Sequence, residues 1–159
     1  MQKILTLFLI AVCGTANAQQ VHDLTYAMLT CGEFKTASDF VKAEAATLKH
    51  PRLADLTYFP AKKGVEFNGL PVYGVFGYQP DSPLFERGPG TEPPHIYGIT
   101  IEGTVASGEV LVRGSRARVA STPFDLRGHA FIDISCEPGN QQPEAESSGP
   151  TGYGFHAKF

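Results

Sequence analysis

Cysteines, histidines and a group of arginines are the residues of this chain whose chemistry is worth locating. Cys13 falls in an apolar N-terminal stretch, whereas Cys31 and Cys136 lie in the body of the chain. Neither body cysteine has CxxC spacing or a nearby histidine. A single structural disulfide is therefore expected, in preference to a reactive thiol pair or a metal site. His129 and Asp133 share one face of an alternating segment, which brings an acid–base or metal pair to mind. At the rise of a strand, however, positions i and i+4 stand about 13 Å apart and cannot touch. They are read as polar residues on a solvent face. No Ser-His-Asp order, GxSxG, HExxH or glycine-rich phosphate loop occurs in the sequence, so no catalytic residue, metal or cofactor is expected.

Arg113, Arg116, Arg118 and Arg127 form a basic concentration in an acidic chain. Arginine forks bind carboxylates and other anions bidentately, which makes Arg116 and Arg118 candidate docking residues. Cross-strand pairing with Glu102, Glu109 and Asp125 is the plainer alternative, and the favoured one. A second candidate is the proline-rich stretch from Gln79 to Pro94, QPDSPLFERGPGTEPP, which joins two strand segments. Loops this long are uncommon in compact domains and often functional. Leu84, Phe85 and Arg87 at its centre could dock a partner at low entropic cost because prolines stiffen the flanks. Leu84 and Phe85 could equally fold back over the core. Two further readings compete: a glycan or small-ligand module stacking on Tyr73, Tyr78 and Tyr97, and a hydrolase built from His95, Glu102 and His129.

The segments that would position these residues follow from the ends inward. Residues 1–18 read as a cleavable signal peptide: Lys3, an apolar run from Ile4 to Val12, then Ala16-Asn17-Ala18. The run is too short to span a bilayer, and no later segment qualifies as a transmembrane helix. Val12 before Cys13 departs from the small residue a lipidation signal requires, so cleavage after Ala18 is preferred. The mature chain then carries 12 basic against 16 acidic residues. That balance argues against nucleic acid as a partner. Export also removes Cys13 and leaves an even pair of cysteines in a periplasmic or secreted setting. The expected partner is another envelope or secreted protein.

Residues 19–136 read as one α+β domain: two N-terminal helices on one face of an antiparallel sheet of about five strands, with one disulfide. Leu24, Met28 and Cys31 share a helical face. Thr36 to Asp39 fits a capping box for a second helix, with Ala37, Phe40, Val41, Ala45 and Leu48 as its stripe and a stop at His50-Pro51. Val65–Phe67 leads into an Asn68-Gly69 hairpin turn and a strand to Tyr78. Ile96–Ala106 and Val110–Ala120 are expected as a hairpin about Ser107-Gly108, with Glu102 opposite Arg113 and a bulge at Gly114-Ser115 that turns Arg116 and Arg118 to solvent. His129–Cys136 reads as a strand with Ile132, Ile134 and Cys136 inward. Residues 137–159 are expected as a polar, flexible tail. Its alternating end, Tyr153 to Phe159, resembles the C-terminal signal of outer-membrane barrels, but such barrels need about eight strands and the helical first third leaves too little chain.

Overall fold

The computed structural model describes residues 21–86, 94–124 and 128–138. The expected signal peptide, Cys13, Arg87, Asp125, Arg127 and the tail from 139 onward lie outside these residues. Among the described residues, three helices and eight strands make an α+β fold around one mixed sheet. Helix α1 (Thr25–Thr30) begins where the Asp23 carboxylate accepts hydrogen bonds from the Thr25 backbone N–H and hydroxyl. It ends at Cys31, whose φ of 52° turns the chain out of the helix. Helix α2 (Ala37–Glu44) begins at Thr36, whose hydroxyl accepts from the Asp39 N–H at 3.0 Å, as its sequence implies.

Helix α2 stops one full turn before the expected end. Ala45 adopts an extended conformation and bridges Ala61, while Ala46 N–H donates to the Pro60 carbonyl. The neighbouring strand has captured backbone groups that a longer helix would have used internally. Leu48, expected in the buried stripe, is consequently exposed.

The strands are β1 (His22–Asp23), β2 (Arg52–Leu53), β3 (Thr57–Pro60), β4 (Val65–Phe67), β5 (Leu70–Tyr78), β6 (Ile96–Glu102), β7 (Arg118–Ser121) and β8 (Phe131–Cys136). Their order is β1-β4-β5-β6-β8-β7, with β3 also on β5 and β2 on β3. All pairs are antiparallel except β1 with β4. The sheet therefore exceeds the expected five strands mainly through short pieces. The Asn68-Gly69 turn forms as expected, both residues at positive φ between Phe67 and its partner Leu70.

The expected hairpin about Ser107-Gly108 does not form. Those residues lie inside helix α3 (Val105–Leu111), which crosses the sheet from the end of β6 to the start of β7. Thr104 and Ser107 form a reciprocal capping box that starts it. Glu102 therefore faces Phe131, not Arg113. No bulge is needed at Gly114-Ser115 either: β7 begins only at Arg118, with Ala117 buried and Arg116 and Arg118 exposed.

The helices cover one sheet face, where Val75, Tyr97, Ile99, Ile101, Ile132 and Ile134 meet Met28, Phe40 and Val41. Cys31 and Cys136 are bonded, with Cα atoms 5.3 Å apart, and fasten α1 to β8. The opposite face is not simply solvated. Tyr58, Phe76 and Gly98 lie in one row across it, and Thr100 and Asp133 in the next. Asp133, expected on a solvent face, is only 5% exposed, because Tyr58 and Phe124 pack over this side.

Candidate functional site

The strand registers bring several sequence-predicted residues to one end of the sheet. There Tyr78 pairs with Ile96, Tyr97 with Cys136, and Ser135 with both Gly98 and Arg118. The proline-rich connection leaves and returns at this end, Cys136 of the disulfide lies in the same end row, and Arg116 and Arg118 lead into β7. Among the described residues, the first half of the connection is firmly held. Ser38 donates from its backbone to Gln79 Oε1 at 3.3 Å and from its hydroxyl to the Ser82 hydroxyl at 2.7 Å. The Thr57 hydroxyl donates to the Glu86 carbonyl at 2.9 Å.

Phe85 is buried and Leu84 half-buried, so of the two roles their sequence allowed, these side chains occupy the core-covering one. Gly77 makes room for this: a Cβ there would stand 3.2 Å from Phe85 Cε1 and 3.1 Å from Ala37 Cβ. The connection reaches its proline-rich second half, with Arg87, from a fixed point at Glu86.

Toward the β7 edge lies an open cleft of about 560 Å³, lined by Tyr26, Leu29, Thr30, Glu33, Ser115 and Arg116. One wall is α1 with the turn after Cys31, and the other is the segment between α3 and β7. The Arg116 N–H donates to the Leu29 carbonyl at 3.2 Å and ties the walls together. Tyr26 is 76% exposed, an unusual position for so large a ring. The cross-strand partners expected for the arginines do not materialise among the described residues. Arg118 Nε lies 3.6 Å from Glu137, and Glu102 is engaged elsewhere. Arg113 and Arg116 are exposed and make no ion pair with a described residue.

The tyrosines expected as a stacking surface are dispersed. Tyr97 is fully buried against Phe34 and Phe40, and Tyr78 is buried, while Tyr73 is 49% exposed at the opposite end of the sheet. The expected hydrolase triad is likewise divided. His95 sits at the start of α2, where its Nε2 faces the Ala37 N–H. His129 and Glu102 do meet, Nδ1 to Oε1 at 2.8 Å, but on an open surface.

Sequence reasoning missed a buried polar cluster. Asp133 accepts hydrogen bonds from the Tyr58 hydroxyl and the Thr100 hydroxyl, both at 2.6 Å. Burial pushes the Asp133 carboxyl above the ordinary aspartate value, although both hydrogen bonds pull it down. Burial, then the adjacent carboxylate, raises the Tyr58 phenol and keeps it a donor. Tyr58, Thr100 and Asp133 are all buried, so the cluster acts as internal support. No three potential metal ligands gather among the described residues, and no described helix is long and apolar enough to cross a membrane. Comparison with family models, with curated proteins and with solved structures finds no match for this chain.

Proposed function

We propose that this is an exported, non-enzymatic protein that binds another envelope or secreted protein through the sheet end carrying Arg116, Arg118 and the proline-rich connection. The observation that carries the reading is convergence: an exposed tyrosine, exposed arginines and a proline-rich connection whose first half is clamped share one disulfide-fastened end. Tyrosine and arginine are enriched among residues that dominate protein interfaces. A pre-ordered surface also loses less entropy on docking. Leu84 and Phe85 serve this reading by holding the connection in place, so that Arg87 and the residues after it meet the partner. Export is supported by the N-terminal sequence pattern and by a disulfide, which persists mainly in oxidising compartments.

The test is affinity capture from an envelope or culture-medium extract with the mature domain, alongside Arg116→Gln/Arg118→Gln, Tyr26→Ala and a variant shortened within 87–93. The expected result is one partner retained by the parent and depleted in these variants. Absence of a specific partner, or equal capture by all variants, would overturn the reading.

A further inference from the structure

The opposite end of the sheet carries a second surface, which neither the docking reading nor the buried cluster uses. Between Val72 and Gly74 the register of β5 against β6 shifts, and Tyr73 is the extra residue. Such a bulge re-aims a side chain. The Tyr73 ring stands edge-on to Phe131, with centroids 5.2 Å apart and planes at 85°, and remains half exposed. Phe131, an apolar residue facing away from the helices, thereby acquires a role as its support. Glu102 lies directly across from Phe131 in the ladder, and the His129 ring lies 6.5 Å from that of Phe131. His129 Nδ1 donates to Glu102 Oε1, which fixes both polar side chains beside the aromatic pair. Both polar side chains stay open to solvent, His129 at 62% and Glu102 at 49% exposure.

We infer that Tyr73, Phe131, Glu102 and His129 form a binding site for a neutral saccharide. A pyranose ring offers an apolar C–H face and a rim of hydroxyls. It therefore needs a fixed aromatic platform flanked by planar polar groups that can donate and accept. Tyr73 supplies the platform, Glu102 an acceptor and the imidazole Nε2 a second hydrogen-bonding group. Glu102 and His129 hold each other in place, so an aromatic face is flanked by fixed hydrogen-bonding groups, which is what an uncharged, hydroxyl-rimmed ring requires. The site lies at the far end of the sheet from Arg116, so it stands or falls separately from the docking reading.

The experiment titrates chitotetraose, cellotetraose and maltotetraose into the isotope-labelled mature domain and follows backbone amide shifts. At least one is expected to move amides of Tyr73, Gly74, Glu102 and Phe131 while leaving those around Arg116 in place. Tyr73→Phe should retain binding. Tyr73→Ala should weaken it by about tenfold or more, the scale of one lost stacking contact. Glu102→Gln/His129→Gln should weaken it at an unchanged Tm, which separates lost recognition from lost fold. Arg116→Gln should bind as the parent does. No shifts with any of the three sugars at millimolar concentration would overturn the inference. So would shifts that persist in Tyr73→Ala, or a patch that captures protein from an extract but no sugar.

Discussion

Asp133 shows how a single residue can be misplaced by a correct pattern. Alternation along β8 does put it on the face away from the helices, but that face is roofed by Tyr58, Phe76 and Phe124, with Arg52 stacked 4.1 Å over the Phe124 ring. No local signal announces such a roof, because Arg52 and Tyr58 are far from Asp133 in sequence and hold Phe124 over it. The burial has a measurable sign. The folded-state pKa of Asp133 is raised above its unfolded value of 3.8, so folding takes up a proton between the two. The resulting stability is fully present below the unfolded value and is lost as pH rises through the raised one. Asp133→Asn should therefore have a flatter Tm profile than the parent from pH 4 upward. Glu44, also raised, chiefly by burial, acts in the same direction in both proteins and cancels in the difference. A parallel pair of profiles would show that Asp133 does not titrate as its burial implies. Asp133→Ala, which strands two buried hydroxyls, should cost about 1–3 kcal/mol for each one left unsatisfied.

At the scale of elements, legibility followed the locality of the cause. The Thr36 cap, the Asn68-Gly69 turn and the inward face of β8 each depend on residues close in sequence, and each is readable. Ser107-Gly108 resembles a turn and hides helix α3, whereas the Thr104–Ser107 capping box is the informative signal. The premature end of α2 depends on Ala61 and Pro60, a long-range pairing that periodicity cannot reveal. Close approach between elements is also invisible locally. A Cβ on Gly98 in β6 would lie 2.3 Å from Phe76 Cζ and 2.4 Å from the Ile134 carbonyl oxygen. The phenyl ring could rotate, but the carbonyl belongs to the β6–β8 ladder and cannot yield without breaking it. Gly98→Ala should therefore destabilise by at least the roughly 1–3 kcal/mol typical of overpacking. Trimming the ring with Phe76→Leu should not restore the loss. A Gly98→Ala protein melting within a degree or two of the parent would exclude this packing.

For the whole molecule, the disulfide is the feature in which sequence and fold agree most fully. The sequence puts Cys31 on the apolar stripe of the first helix and Cys136 on the inward face of its strand, and the bond joins the C-cap of α1 to that inward face of β8. The candidate docking end was legible only as separate residues. Its convergence requires the registers of β5, β6, β8 and β7, which no local pattern supplies. The bond matters unequally to the two ends. Cys31 occupies the turn that forms one wall of the Tyr26–Arg116 cleft, whereas Tyr73 and His129 lie at the far end of strands held by ladder hydrogen bonds. Cys31→Ala/Cys136→Ala releases a loop of 105 residues, and chain entropy sets the loss at ~4.7 kcal/mol before any relief from residual structure. The sheet should survive at moderate temperature with a lowered Tm. Amide exchange should then accelerate first around 29–33 and 114–116, and only later in β5 and β6. Partner capture through Arg116 should fall further than saccharide binding at Tyr73. Uniform acceleration across the sheet, with both bindings lost in step, would mean that the bond holds the whole fold together and not chiefly one end of it.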